Sequence, residues 1–243
     1  MTIQKICVPL LLLFLSYDMS SQHTPDTNLY AAFDNSVGVK NLGINNGTIH
    51  INNYKAINST HRYFQEDKYY PGNVEYDGQP YLGLNLKYDI FKDILIAKIY
   101  GIGNSLGINL ITEKTESFTI DGKKFVNLNF NQNKVPDFVK GYYEKFSDGG
   151  KLSLYIKYHK DAIEILEDVV YYKFEGKINF VIGYNNTFYK IDTQRDAEKA
   201  LPDYEKQIGE YYQMNHDLEK SDKIQFMKDM IKYLNNFLVK ETN

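Results

Sequence analysis

The chain has no tryptophan and a single cysteine, Cys7. One thiol can form neither an internal disulfide nor a cysteine–zinc cluster, and a chain cleaved after Ser21 would have no thiol nucleophile. Arginine is nearly missing as well: Arg62 and Arg195 are the only two. Net charge is −3 and no basic block occurs, so the positive footprint that nucleic acid demands is lacking. The longest apolar run covers only residues 7–15, short of the ~20 residues that span a bilayer.

That run, CVPLLLLFL, follows Lys5 and precedes the more polar residues 16–21. The order is that of a secretory signal peptide, expected at residues 1–21. Ser21 is the expected last residue, although Met19 is larger and Asp18 more polar than is usual there. Cys7 stands before the apolar core, so it is not the acylated cysteine of a lipoprotein. The expectation is an exported protein, periplasmic or extracellular, with no transmembrane span in the mature chain. About 220 residues without a disulfide would then be held by their core alone, which a chain of that size can do.

Most of what remains has the β period. In residues 72–100, GNVEYDGQPYLGLNLKYDIFKDILIAKIY, the pair Asp77-Gly78 suits a type I′ hairpin turn, because both residues tolerate positive φ. Val74 and Tyr76 alternate before it. After it Leu82, Leu84, Leu86, Tyr88 and Ile90 fall on one face, and Tyr81, Gly83, Asn85, Lys87 and Asp89 on the other. Residues 91–93 turn the chain, and residues 94–99 are apolar on both faces apart from Lys98, as a central strand would be. The construction recurs: FTIDGKKFVNL around Asp121-Gly122, a turn at residues 148–150 into Leu152, Leu154, Ile156 and Tyr158, and a hairpin of residues 169–174 and Ile178, Phe180, Ile182 and Tyr184 turned at Glu175-Gly176-Lys177, before Asn185-Asn186. Residues 138–146 read as a strand, and Asn46-Gly47 as a further hairpin pair.

Ten or eleven strands at turn spacings of 8–14 residues imply antiparallel neighbours. The fold class is mostly β (α+β): one antiparallel multi-hairpin sheet, sandwich or partly closed barrel, with a C-terminal helical pair. Residues 22–36 form a loose arm, residues 37–192 the β domain, and residues 193–243 the helices packed on it. Thr193 can cap a helix starting at Gln194, Pro202 restarts it, and Leu201, Tyr204, Ile208 and Tyr211 make its stripe. Residues 214–219 read as a break. Ser221 can cap a last helix striped by Met227, Met230, Ile231, Leu234 and Leu238.

Chemistry is thinly signalled. The five histidines, His23, His50, His61, His159 and His216, have no metal-type spacing. There is no G-x-S-x-G elbow. Residues 101–107, GIGNSLG, are glycine-rich, but a strand pattern follows where a phosphate loop needs a helix. Asp77, Asp89, Asp93 and Asp121 sit at turns, where local backbone hydrogen bonds explain them without calcium. Sequons at Asn46, Asn58 and Asn185 are what chance supplies in so asparagine-rich a chain. The 22 tyrosines are spread along the strands as amphipathic filler, not gathered as a stacking surface. No catalytic, cofactor-binding or metal residue is assigned, and no cofactor is expected.

The run GNVEYDGQPY…LKYDI…DILI, the later SFTIDGKKFV and two terminal helices ending YLNN resemble uncharacterised exported proteins of Gram-negative bacteria with AT-rich genomes. The resemblance covers most of residues 47–237 and implies a periplasmic or surface location but no activity. The functional expectation is a non-catalytic envelope or secreted module binding a hydrophobic small molecule or an envelope protein. The alternatives are a carboxylate-based hydrolase of carbohydrate or peptide, and an envelope-complex adaptor using the C-terminal helices.

Overall fold

The computed structural model describes residues 42–98, 106–130, 135–147 and 149–240. The signal-peptide and loose-arm expectations, His23 and most of the glycine-rich segment lie outside the described residues. Within them stands one antiparallel sheet of 11 strands, open at both edges. The strands are β1 (Thr48–Ile49), β2 (Tyr70–Tyr76), β3 (Gln79–Asp89), β4 (Ile94–Lys98), β5 (Gly107–Asn109), β6 (Thr115–Ile120), β7 (Lys123–Asn127), β8 (Tyr142–Phe146), β9 (Ser153–Leu166), β10 (Val170–Tyr184) and β11 (Thr187–Ile191). Their spatial order is β1-β5-β4-β3-β2-β6-β7-β8-β9-β10-β11. The sheet is two meanders joined at β2 and β6. Residues 110–114 bring the chain back across the strand ends, with Leu110 N–H on the Leu95 carbonyl and Asp77 N–H on the Lys114 carbonyl.

The turns follow from local sterics. Asp77 and Gly78, Asp121 and Gly122, and Asn185 and Asn186 all have positive φ, as type I′ hairpins require. One expected face is corrected. Leu86, Tyr88 and Ile90 are buried, but Leu82 is exposed and Tyr81 is in the core. Gly72 lies opposite Leu84 and Val74 opposite Tyr81, so β3 carries one extra residue there. Gly83, at φ +65°, makes that bulge possible, and Asn73 Oδ1 accepts its N–H at 2.9 Å. A one-residue bulge moves every later side chain to the other face. β4 is an interior strand, third from the β1 edge, with Leu95, Ile96 and Ala97 buried on both its faces as expected. Residues 138–146 are a strand only from Tyr142, preceded by a 3₁₀ turn over Asp137–Val139, and Asn46-Gly47 follows another 3₁₀ turn instead of joining two strands.

The helical end holds four helices, not a pair: α1 (Gln194–Ala200), α2 (Glu205–Met214), α3 (His216–Ser221) and α4 (Lys223–Lys240). Thr193 and Asp196 form a reciprocal capping box on α1. The expected break contains α3. Asp222, not Ser221, caps α4, its Oδ1 accepting the Gln225 N–H, while the Ser221 hydroxyl donates back to the Asp217 carbonyl. Phe226, Met227, Met230, Ile231 and Leu234 of α4 are fully buried against Leu152, Leu154, Ile156, Phe180 and Ile182. Asn235 behaves as an added strand partner: its Oδ1 accepts the Leu152 N–H at 2.9 Å and its Nδ2 donates to the Leu152 carbonyl.

A second core on the same face is built from β2–β8 and covered by Ile44 and Phe64, with Tyr158 touching both cores. Beside Tyr158 the buried Glu144 accepts from Lys228 Nζ at 2.6 Å, the Tyr158 hydroxyl at 2.6 Å and Lys123 Nζ at 3.2 Å, tying α4 to the sheet. Burial pulls the Glu144 carboxyl up, but the hydrogen bonds from Lys228 and Tyr158 and the charges of Lys123 and Lys228 outweigh it, leaving it below its ordinary 4.5. A carboxylate held low contributes stability above its unfolded value and loses it as pH falls through the lower folded value. Glu144→Gln is therefore expected to be less stable than the parent at neutral pH and to lose less on acidification. Urea midpoints against pH test this, and parallel curves would refute it.

Candidate functional site

The one buried arginine organises the most polar part of the interior. Arg62 is 2 % exposed and Asp89 is 1 % exposed. Arg62 Nε stands 3.1 Å from Asp89 Oδ2, near enough for an ion pair but off the line of a hydrogen bond. Asp89 ends β3, where its Oδ1 accepts the N–H groups of Phe91 and Lys92. The local-turn expectation for this aspartate is met, and the same carboxyl also faces the arginine. Burial pushes the Asp89 carboxyl up, and the two backbone donors and Arg62 only partly oppose that.

His50, just past β1, joins the cluster from the sheet edge. Its Nδ1 lies 2.8 Å from Asn109 Oδ1, while Asn109 Nδ2 faces Thr48 Oγ1. With an amide oxygen opposite, Nδ1 must carry the proton. Nε2 is then the acceptor, receiving the Tyr63 hydroxyl at 3.0 Å and Arg62 Nη2 at 3.2 Å. Burial pulls the His50 pKa down, Arg62 and Lys87 add to this, and the imidazole stays neutral. Burial also holds the Tyr63 phenol protonated, its pKa raised. The arrangement is a buried polar knot. Its base is already occupied by two donors and its phenol keeps its proton, so it fits pinning residues 50–63 to the sheet and not nucleophilic chemistry.

The other sequence-singled residues go elsewhere. His61 stacks on Tyr63. His159 pairs with Asp161, and His216 begins α3. Asp77, Asp93 and Asp121 have positive φ in their turns. Asp93 has a further role: its carboxylate occupies the space a side chain would need at Gly141, and accepts from the Tyr88 hydroxyl at 2.5 Å and Lys157 Nζ at 2.6 Å. Among the described residues no three of His, Cys, Asp and Glu are placed to hold a metal ion.

A second feature lies on the surface. β8 pairs with β9 only at residues 154–156, and β11 with β10 only from Phe180 onward. Beyond those points β9 and β10 pair with each other for ten residues, a ribbon roughly 30 Å long. Residues 54–60 brace one side, through the Ala56–Tyr172 bridge, the Phe174 N–H on Thr60 Oγ1, and Tyr54 packed edge-on against Tyr172 and Phe174. The tip is uncovered: Leu166 is 83 % exposed, and Ile163, Val169 and Val170 are about 40 % exposed. Glu167 and Asp168 are in the turn itself, and Glu164 precedes Leu166 by two residues on the same ribbon face.

Other openings are polar or shallow. A groove of about 370 Å³ on the face away from the helices is lined by Tyr155, Asn185, Asn186 and Phe188. A larger one of about 650 Å³ lies among Thr193, Gln194, Tyr212 and Glu219. No helix among the described residues is long and apolar enough to cross a membrane.

The turn expected at residues 175–177 is corrected: Glu175, Gly176 and Lys177 pair with Asp161, Lys160 and His159 inside an unbroken β10, so the long hairpin turns at residues 167–169 instead, and the alternation gave no sign that its tip projects past the neighbouring strands. The knot has one signal in the sequence, the rarity of arginine in so lysine-rich a chain. A scan of protein-family models, a search of curated proteins and a search of solved structures each found no match.

Proposed function

We propose that this chain is a non-catalytic exported binding module that presents the β9–β10 tip to a protein partner. The observation that carries the reading is the apolar tip with an acidic rim. Leu166 and Val170 form an exposed cross-strand pair at the turn, Val169 lies in the turn and Ile163 is on the other face of the ribbon, and the three nearby acids make no ion pair among the described residues. Projecting apolar side chains with a charged rim are the ordinary anatomy of a protein contact. The rim selects a partner with lysines or arginines around an apolar patch. Two copies of this tip would set acid against acid, so self-association is disfavoured.

Between a hydrophobic small molecule and a protein partner, the surface favours the protein. The larger openings are open and partly polar, unlike the concave apolar pockets that hold small ligands. For the hydrolase alternative, the two buried carboxylates, Asp89 and Glu144, are each committed to cations. For the adaptor alternative, the apolar stripe of α4 is turned inward. Export remains part of the proposal on the strength of residues 1–21.

The test is site-specific photocrosslinking from position 170, the cross-strand partner of Leu166, in the cell envelope, with and without Leu166→Asp. The substitution is at an exposed turn and is expected to leave stability within about 0.5 kcal/mol, while the crosslinked partner band falls and the remainder weakens with salt. An undiminished band with Leu166→Asp would refute the reading, as would a crosslink to a second copy of this chain.

A further inference from the structure

Beside Arg62 is a cavity of about 30 Å³ whose wall includes Asn52, Tyr54, Thr60, His61 and Arg62. About 10–15 Å³ of such space admits one water, so this cavity takes a monatomic ion or one to two waters and no organic ligand. Three observations bear on which. Arg62 Nη1 is buried with no hydrogen-bond partner, although Nε faces Asp89 and Nη2 faces His50. A buried guanidinium N–H without an acceptor is costly.

The local charge balance is positive. Asp89 is matched by Arg62, and Asp67, which also lines the cavity, by Lys87 at 2.6 Å. Lys160 has no carboxylate partner among the described residues; its Nζ donates to the carbonyls of His61 and Tyr63 at 2.5 and 3.1 Å. Lys92 adds a further ammonium 5.2 Å over the Tyr54 ring. His50 and His61 are both held neutral, first by burial and then by neighbouring cations. Finally, the wall joins two distant parts of the chain. Phe174 from β10 lines it together with residues 52–63.

We propose that this cavity binds a small monovalent halide-type anion against Arg62, and that the anion locks residues 52–63 onto the β9–β10 hairpin. An anion supplies the acceptor that Nη1 lacks and offsets the surplus ammonium charge, which a water does only for the hydrogen bond. The site is independent of the tip and of any partner.

The experiment uses the full mature chain. Melting curves are recorded in sodium chloride and in sodium gluconate at equal ionic strength, and crystals grown in bromide are measured at the bromine edge. The expected results are a saturable rise of the melting midpoint in chloride and one bromide peak within hydrogen-bond distance of Arg62 Nη1. Coincident chloride and gluconate curves, or a cavity without bromide density, would overturn the proposal. Because Arg62 variants risk unfolding, Lys160→Gln is the variant of choice. It removes the surplus cation and is expected to move the half-saturating chloride concentration several-fold upward. An unchanged chloride dependence in Lys160→Gln would also overturn it.

Discussion

Arg62→Ala is expected to lower the unfolding free energy by about 3–5 kcal/mol, the range for breaking one side of a buried ion pair. The size comes from what is left behind. Asp89 is 1 % exposed and cannot turn away, since its Oδ1 is held by the Phe91 and Lys92 N–H groups. Removing the guanidinium strands a carboxylate in the interior and also takes a donor from His50. Burial already raises the Asp89 pKa, and losing Arg62 raises it further. Protonating Asp89 relieves the stranded charge, so the penalty is expected to be greatest at neutral pH and to shrink as pH falls through that raised value. Asp89→Asn keeps the turn acceptor while neutralising the carboxylate. The double variant Arg62→Met, Asp89→Asn is therefore expected to be more stable than Arg62→Ala alone. Urea unfolding of the three variants decides it. A single-variant cost below about 1 kcal/mol would place the pair with exposed salt bridges and refute the account.

Phe226→Ala is the second large effect, at about 3–5 kcal/mol for emptying a fully buried aromatic site. The ring is 0 % exposed and sits between Tyr211 and Tyr212, at 5.1 and 4.8 Å between centroids. The Tyr211 hydroxyl also donates to the Phe226 carbonyl, so collapse around the vacancy would disturb the α2–α4 contact. Hydrogen exchange in the variant is expected to rise in α2, α4 and β9–β11 together, because these elements share one core. A loss smaller than about 0.5 kcal/mol, or exchange confined to α4, would mean that α4 is a detachable element. That outcome would revive the adaptor reading.

The two halves of the architecture were unequally legible in the sequence. Asp77-Gly78, Asp121-Gly122 and Asn185-Asn186 announced their turns because positive φ is a property of those residues alone. Thr193 and the Met227–Met230–Ile231–Leu234 stripe announced helices because a cap and a 3.6-residue period are local. The face assignment in β3 failed at Leu82 because the bulge at Gly83 needs β2 beside it to exist at all. Ile178 shows the same limit: it belongs to an alternating run, yet is 43 % exposed because its part of β10 lies beyond β11.

By itself the sequence determined the strand-rich class, most of the turns, the helix start at Thr193 and the exclusion of an internal disulfide. Each of these depends on covalent geometry or on contacts a few residues apart. The tertiary structure alone decided that β2 and β6 would join two meanders into an open sheet, that Arg62 would be buried against Asp89, and that the β9–β10 tip would be left bare. These depend on which distant segment covers which surface, and burial is set by neighbours that the local pattern does not specify.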